Sequence, residues 1–161
     1  MDVIKRSEKF KQRINELIRE IHEPKKVIAH KMQIEFRSLF NAYQYGILPR
    51  SVTLVKMADY FQVPIDYLLR RTDEIKFIPA KTPSDFYTRY TYLRDLSHLT
   101  DSKVAADCNF RKSLCYAWKQ KGHTPSLQHL DALCKYFDVS IDYLLGRTDD
   151  DTPYKIDPDW N

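Results

Sequence analysis

The chain repeats itself at a spacing of 76 residues, so whatever it folds into must accommodate the same pattern twice. The segment Tyr60-Phe-Gln-Val-Pro-Ile-Asp-Tyr-Leu-Leu-Arg-Arg-Thr-Asp73 is echoed by Tyr136-Phe-Asp-Val-Ser-Ile-Asp-Tyr-Leu-Leu-Gly-Arg-Thr-Asp149. The same offset runs backwards without a gap. It pairs Leu54 with Leu130, Pro49 with Pro125, Gly46 with Gly122, Ala29 with Ala105, Leu17 with Leu93 and Phe10 with Phe86. Two units, roughly 7–74 and 83–150, follow. The join between them holds Pro79 and Pro83 and has no helical period, so residues 75–82 read as a linker and 151–161 as an acidic tail.

Within each unit the apolar spacing is helical. Phe10, Ile14, Leu17, Ile18 and Ile21 fall on one face of a first helix, with Phe86, Tyr90 and Leu93 as counterparts. Leu54, Met57, Ala58 and Phe61, matched by Leu130, Leu133, Cys134 and Phe137, follow the i, i+3, i+4, i+7 pattern of a fourth helix. A short fifth helix buries Ile65, Leu68 and Leu69, or Ile141, Leu144 and Leu145, and opens on Pro64 or Ser140. Two short helices are expected between the first and fourth, at about 25–32 with 36–44 and about 101–108 with 112–120. Only three glycines occur, fewer than the tight turns of a β-rich fold would use. The expected class is all-α, with five short helices per unit.

The net charge is +4, and its distribution says more than its total. Residues 1–80 hold 15 Lys/Arg against 10 Asp/Glu. Residues 81–148 hold 10 against 7, and five aspartates then crowd the last stretch. Both units therefore carry a modest positive excess, compatible with a polyanion. Cys108, Cys115 and Cys134 form an odd set with no Cys-x₂₋₄-Cys pair, which suits core residues in a reducing compartment better than a disulfide or zinc site. No metal and no cofactor are expected. The N-terminus has no apolar leader and no run is long enough to span a membrane, so the expected location is the cytoplasm. With no nucleophile–base set and no glycine-rich phosphate loop, an enzyme is not expected.

The stretch from Thr100 to Leu127, with Ala105, Asn109, Trp118, Gly122 and Pro125 at its key positions, resembles the helix-turn-helix core of the Cro/C1-type (XRE) family. The ending from Tyr136 to Asp149 looks like that family's closing helix in phage- and mobile-element-type repressors. The resemblance reaches residues 1–74 more weakly, through Ala29, Gly46, Pro49 and the shared ending. It implies two tandem five-helix lambda-repressor-like domains and a sequence-specific transcriptional regulator, a repressor, whose partner is double-stranded DNA. Two heads joined in one chain would supply in cis what dimerisation supplies elsewhere, reading major-groove segments about one helical turn (~34 Å) apart.

Residue types agree with that reading at the positions open to physical argument. Thr100 is a capping residue, Ala105 is small enough for a close helix crossing, and Asn109 tolerates the left-handed turn. Phe110, Cys115 and Trp118 then point inward. Arg111, Lys112, Ser113, Tyr116, Lys119 and Gln120 point outward on the helix this family lays in the major groove. In the first unit the corresponding contacts are Lys25, Lys26, Arg37, Asn41 and Gln44. The family's glutamine at the start of helix two is replaced by Asp101 and by Lys25, and an aspartate there would repel phosphate. Two outward phenylalanines, Phe36 and Phe40, suit thymine methyls or a protein partner, which leaves open an alternative: an antitoxin-like or repressor-partner module that binds protein, or a second copy of the chain, through them. The tail with Trp160 is expected to fray rather than to act as a DNA-mimicking plug.

Overall fold

In the computed structural model, residues 5–159 are described, and their extended elements are all helices apart from one isolated β-bridge between Arg6 and Ile47. The chain divides into two compact units. One runs to Phe77 and takes in the chain from Tyr154 onward; the other is Ile78–Pro153. The first carries α1 (Glu8–Arg19), α2 (Lys25–Met32), α3 (Phe36–Tyr45), α4 (Ser51–Phe61) and α5 (Ile65–Leu68). The second carries α6 (Phe86–Leu96), α7 (Asp101–Asp107), α8 (Ser113–Lys121), α9 (Leu127–Phe137) and α10 (Ile141–Leu144). No helix among the described residues is long and apolar enough to cross a membrane.

At the start of α1, α6, α7, α9 and α10 a side chain satisfies a free backbone N–H group. Ser7 accepts from Phe10 N (3.1 Å) to open α1, and Asp85 accepts from Thr88 N (2.8 Å) to open α6. Ser126 and Ser140 do the same for α9 and α10. Helix ends are turned by residues in the left-handed region: Gln33, Gly46 and Gln62 after α2, α3 and α4, Gly122 and Asp138 after α8 and α9. Gly46 is obligatory for a second reason. The extended chain before α1 crosses it, and a Cβ there would lie 2.6 Å from Ser7 O.

Phe10, Ile14, Ile28, Leu39, Leu54, Met57, Ile65, Leu68 and Leu69 fill the first core. Leu17 and Ile21, expected on the buried face of α1, are only half-buried: Leu17 sits at the flank of the helix, and Ile21 lies beyond its end at Arg19. The second core is aromatic. Tyr90 and Trp118 stand where the first unit has Ile14 and Ala42, and Phe86 stacks on Tyr90 while Trp118 meets both rings edge-on. Of the three cysteines expected in the core only Cys115 is buried. Cys108 is the residue on which α7 ends, and like Cys134 it is half-buried.

Each unit closes on a buried ion pair within the repeated Ile-Asp-Tyr-Leu-Leu segment, Asp66 with Arg71 and Asp142 with Arg147. An arginine of the unit's opening helix then packs across that closure. Arg13 lies 3.7 Å over the Tyr67 ring and donates to Tyr67 O (3.0 Å) and Asp73 (2.9 Å). Arg89 lies 4.2 Å over Tyr143 and donates to Thr148 O and Asp149.

Extended segments run along both closures. In the second unit Ala80 N donates to Arg147 O and the Thr148 hydroxyl donates to Ile78 O (2.8 Å). In the first, Asp157 N donates to Arg71 O (2.7 Å), and Lys9 Nζ reaches Asp157 Oδ2 and Asp159 O. The tail, expected to fray, is thus tied to the first unit at Asp157 by one backbone hydrogen bond and at Asp157 and Asp159 by Lys9. Trp160 lies outside the described residues.

Candidate nucleic-acid interface

In the second unit, α7 and α8 are joined by a turn at Asn109, whose φ of +58° is the left-handed conformation expected of it. Thr100 accepts from Lys103 N (3.2 Å) to start α7, and Ala105 is buried where α7 meets its neighbours. Phe110 packs against Trp118 and His129, holding the turn to α8 and α9. Cys115 and Trp118 anchor α8 in the core, each 3 % exposed.

That anchoring fixes what α8 shows to solvent. Arg111, Lys112, Ser113, Tyr116, Lys119 and Gln120 are all exposed, Tyr116 by 64 %. Lys112 is the residue on which α8 begins and Arg111 precedes it, so two cations stand at the opening of the helix. The face combines guanidinium, ammonium, hydroxyl and amide groups, the donor set that reads base edges and phosphates.

Asp101, the residue that would repel phosphate, is turned inward. Its Oδ1 accepts from the Tyr90 hydroxyl (2.7 Å) and from Arg94 Nη1 (2.9 Å). Partial burial pushes its carboxyl up, but the two hydrogen bonds and the charges of Arg94 and Lys112 outweigh that and hold it below the usual carboxylate range. Burial first, then the bond to Asp101, pushes the Tyr90 hydroxyl far up, so it stays a donor. Arg94, bonded to Asp95 as well, is held firmly protonated. The expected repulsion is thus largely cancelled within the unit. Arg94 was missed in the sequence. Its signal is an arginine four residues after the inward Tyr90 and seven before the acid.

The first unit presents a different face. Lys25, Lys26, Arg37 and Gln44 are exposed, whereas Asn41 is half-buried and lines an open groove of about 420 Å³ together with Ser38, Arg50, Thr53 and Lys56. Phe36 and Phe40, expected to stand fully outward, are partly covered on the outer face of α3. Both are half-buried, because Phe40 meets Phe36, Tyr43 and Tyr45 at ring distances of 6.1, 5.5 and 5.8 Å. Lys25 lies 4.9 Å from the Tyr43 ring and Lys26 5.6 Å from that of Phe36, so both cations rest on rings. Among the described residues no cluster of three or more His, Cys, Asp or Glu side chains is placed to hold a metal ion.

Residues 92–150 match the family model of the Cro/C1-type HTH DNA-binding domain. A curated relative, the "Uncharacterized HTH-type transcriptional regulator YobD" of Bacillus subtilis (strain 168), is 35 % identical over 65 residues, covering 40 % of this chain and 58 % of the relative. The chain thus spans little more than half of that relative's length. No solved structure matches. The matched segment contains the turn at Asn109, the inward Cys115 and Trp118 and the exposed basic helix. Over residues 92–150 the chain is thus similar to a Cro/C1-type helix-turn-helix DNA-binding domain.

Proposed function

We propose that this chain is a sequence-specific DNA-binding transcriptional regulator, acting as a repressor, with α8 as its reading helix in the major groove. One observation carries the reading: α8 is pinned by Cys115 and Trp118 with Arg111, Lys112, Ser113, Tyr116, Lys119 and Gln120 all free on its outer face. The match of residues 92–150 to a DNA-binding family supports it, as does the relative's name. Repression is the economical mode, since occupying a promoter needs only tight binding. The site of action is the cytoplasm, on the nucleoid, and the chemistry is binding rather than catalysis.

We further propose that the first unit is a second domain of the same fold. Its helix order matches that of the second, and α4 and α9 differ by 76 residues at both bounds. In this division residues 1–74 and 83–150 are the domains, 75–82 the linker and 151–161 the tail. DNA contacts of the first unit are carried by Lys25, Lys26, Arg37, Asn41 and Gln44, and serve affinity more than base reading.

Selection of bound duplexes from a random DNA pool tests the function. An enriched motif, bound with strong salt dependence, is the expected result. A pool that stays random after repeated rounds overturns the proposal.

A further inference from the structure

We propose that the outer face of α3 in the first unit is a docking surface for an acidic protein segment that carries apolar side chains between its carboxylates. Three rings of this face stand where the second unit has lysine: Phe36 for Lys112, Tyr43 for Lys119 and Tyr45 for Lys121, each 76 residues apart. Phe40 stands where the second unit has Tyr116. The helix that would read bases has exchanged hydrogen-bonding groups for a continuous ring cluster centred on Phe40. Tyr45, 48 % exposed, forms its open edge.

Charge complementarity identifies the occupant. Lys25, Lys26 and Arg6 stand over the rings of Tyr43, Phe36 and Tyr45, and Arg37 is exposed on the same helix. An apolar patch rimmed by cations fits a partner with apolar side chains and carboxylates in alternation. Stacked bases fit it poorly. Successive bases need ring faces that are open and roughly parallel, whereas these rings meet at 46°, 79° and 81° and three of them carry a cation on the face. A second copy presenting the same patch would oppose cations to cations.

The test uses the full chain and a displayed library of random short peptides. Two variants probe the face, Phe36→Ser with Phe40→Ser and, for a change confined to exposed side chains, Lys25→Glu with Lys26→Glu. Circular dichroism and thermal unfolding check their fold. The expected outcome is enrichment of peptides with Asp or Glu beside Leu, Phe or Trp, whose affinity falls about tenfold or more in both variants. Affinity of the Phe variant for the selected duplex should meanwhile stay within about twofold of the parent, since neither ring is assigned a DNA contact. The lysine variant, which removes two assigned DNA contacts, is read for peptide affinity alone. Peptides that are not enriched, that lack acidic residues, or that bind the charge-reversed variant as well as the parent overturn it. So does a folded Phe variant that loses duplex affinity, oligothymidylate that displaces the peptide, or a parent dimer in sedimentation that the Phe variant abolishes. A parent that selects acidic peptides but no duplex would sink the DNA-binding function and leave this docking face standing.

Discussion

The Nη1 of Arg94 lies 2.9 Å from Asp101 Oδ1, the oxygen that the Tyr90 hydroxyl also reaches at 2.7 Å. The pairing joins α6 to the first residue of α7 and places a compensated acid close to Lys112. An acid at that position is tolerable beside DNA because its charge is already met by two donors from α6. Arg94→Gln should therefore harm two things at once. Unfolding in urea should show a loss of about 1–3 kcal/mol, the range for a partly buried charged hydrogen bond, and affinity for the selected duplex should fall as Asp101 is unmasked. Adding Asp101→Asn to Arg94→Gln should restore much of the DNA affinity. If the double variant binds as poorly as Arg94→Gln alone, charge unmasking is the wrong account.

The same pair fixes a pH dependence. Asp101 has a folded pKa below its unfolded value, so it binds fewer protons in the folded state. Its stabilisation is fully present above the unfolded pKa and is lost as pH falls through the folded one. Unfolding free energy of the parent should thus decline on acidification below about pH 4, near the ordinary aspartate pKa. Asp101→Asn should flatten part of that decline, and identical pH profiles for the two proteins would remove Asp101 from the explanation.

Buried ion pairs at the two closures give a second kind of prediction. Asp142 and Arg147 side chains are 0 % and 4 % exposed, and those of Asp66 and Arg71 are both 5 %. Removing one partner leaves the other buried charge without its ion-pair mate, whatever further contacts it keeps, so Arg147→Met or Asp66→Ala should cost about 3–5 kcal/mol by chemical denaturation. Replacing both members of one pair by apolar residues of similar volume should cost less than either single change. Additive losses would mean that the pairs act through separate neighbours.

Three glycines separate two effects that are usually confounded. All have positive φ, yet a Cβ at Gly46 would meet Ser7 O at 2.6 Å, one at Gly146 would meet Ser84 O at 2.2 Å, and one at Gly122 would meet nothing within 4 Å. Gly122→Ala should cost only the left-handed strain, about 1 kcal/mol. Gly46→Ala and Gly146→Ala add a backbone clash that cannot relax without moving a crossing chain. They should therefore lower the melting temperature well beyond Gly122→Ala. Equal shifts for the three would show that the crossing segments before α1 and α6 contribute little.

Local physics explains which parts of this were legible in the sequence. The apolar spacing of Leu54, Met57 and Ala58, and of Leu130 and Leu133, carries a helical period in the residues themselves, and α4 and α9 lie where it places them. Asn109 announced its turn because few residues accept positive φ. Arg13 and Arg89 gave no such signal. An arginine in a helix reads as solvent-facing until the ring it lies on, Tyr67 or Tyr143, is brought over it by the fold. The Asp101 pairing was hidden for the same reason, since it depends on the angle between α6 and α7. Helix phase placed Phe36 and Phe40 on the outer face of α3 but could not show that Tyr43 and Tyr45 pack against Phe40 and half-cover it. The docking of Asp157 on Arg71 O is a backbone contact and leaves no trace in residue type.

The most direct consequence concerns the opening of α8. Arg111 and Lys112 are exposed immediately before the first turn of a helix whose inner face is committed to Cys115 and Trp118. Truncating either should therefore leave the fold intact, which thermal unfolding can verify. If Arg111 reads a base edge, Arg111→Ala should cost about 1–3 kcal/mol of binding and relax preference at one position of the selected motif. If Lys112 meets phosphate, Lys112→Ala should weaken binding to all sequences alike and reduce the slope of log K against log salt by about 0.9. Lys119→Ala, later on the same face, should resemble Lys112→Ala in kind. Titration of the selected duplex and a scrambled one at several salt concentrations separates these effects. Parent-like binding by both Arg111→Ala and Lys112→Ala would mean that α8 is not the reading helix.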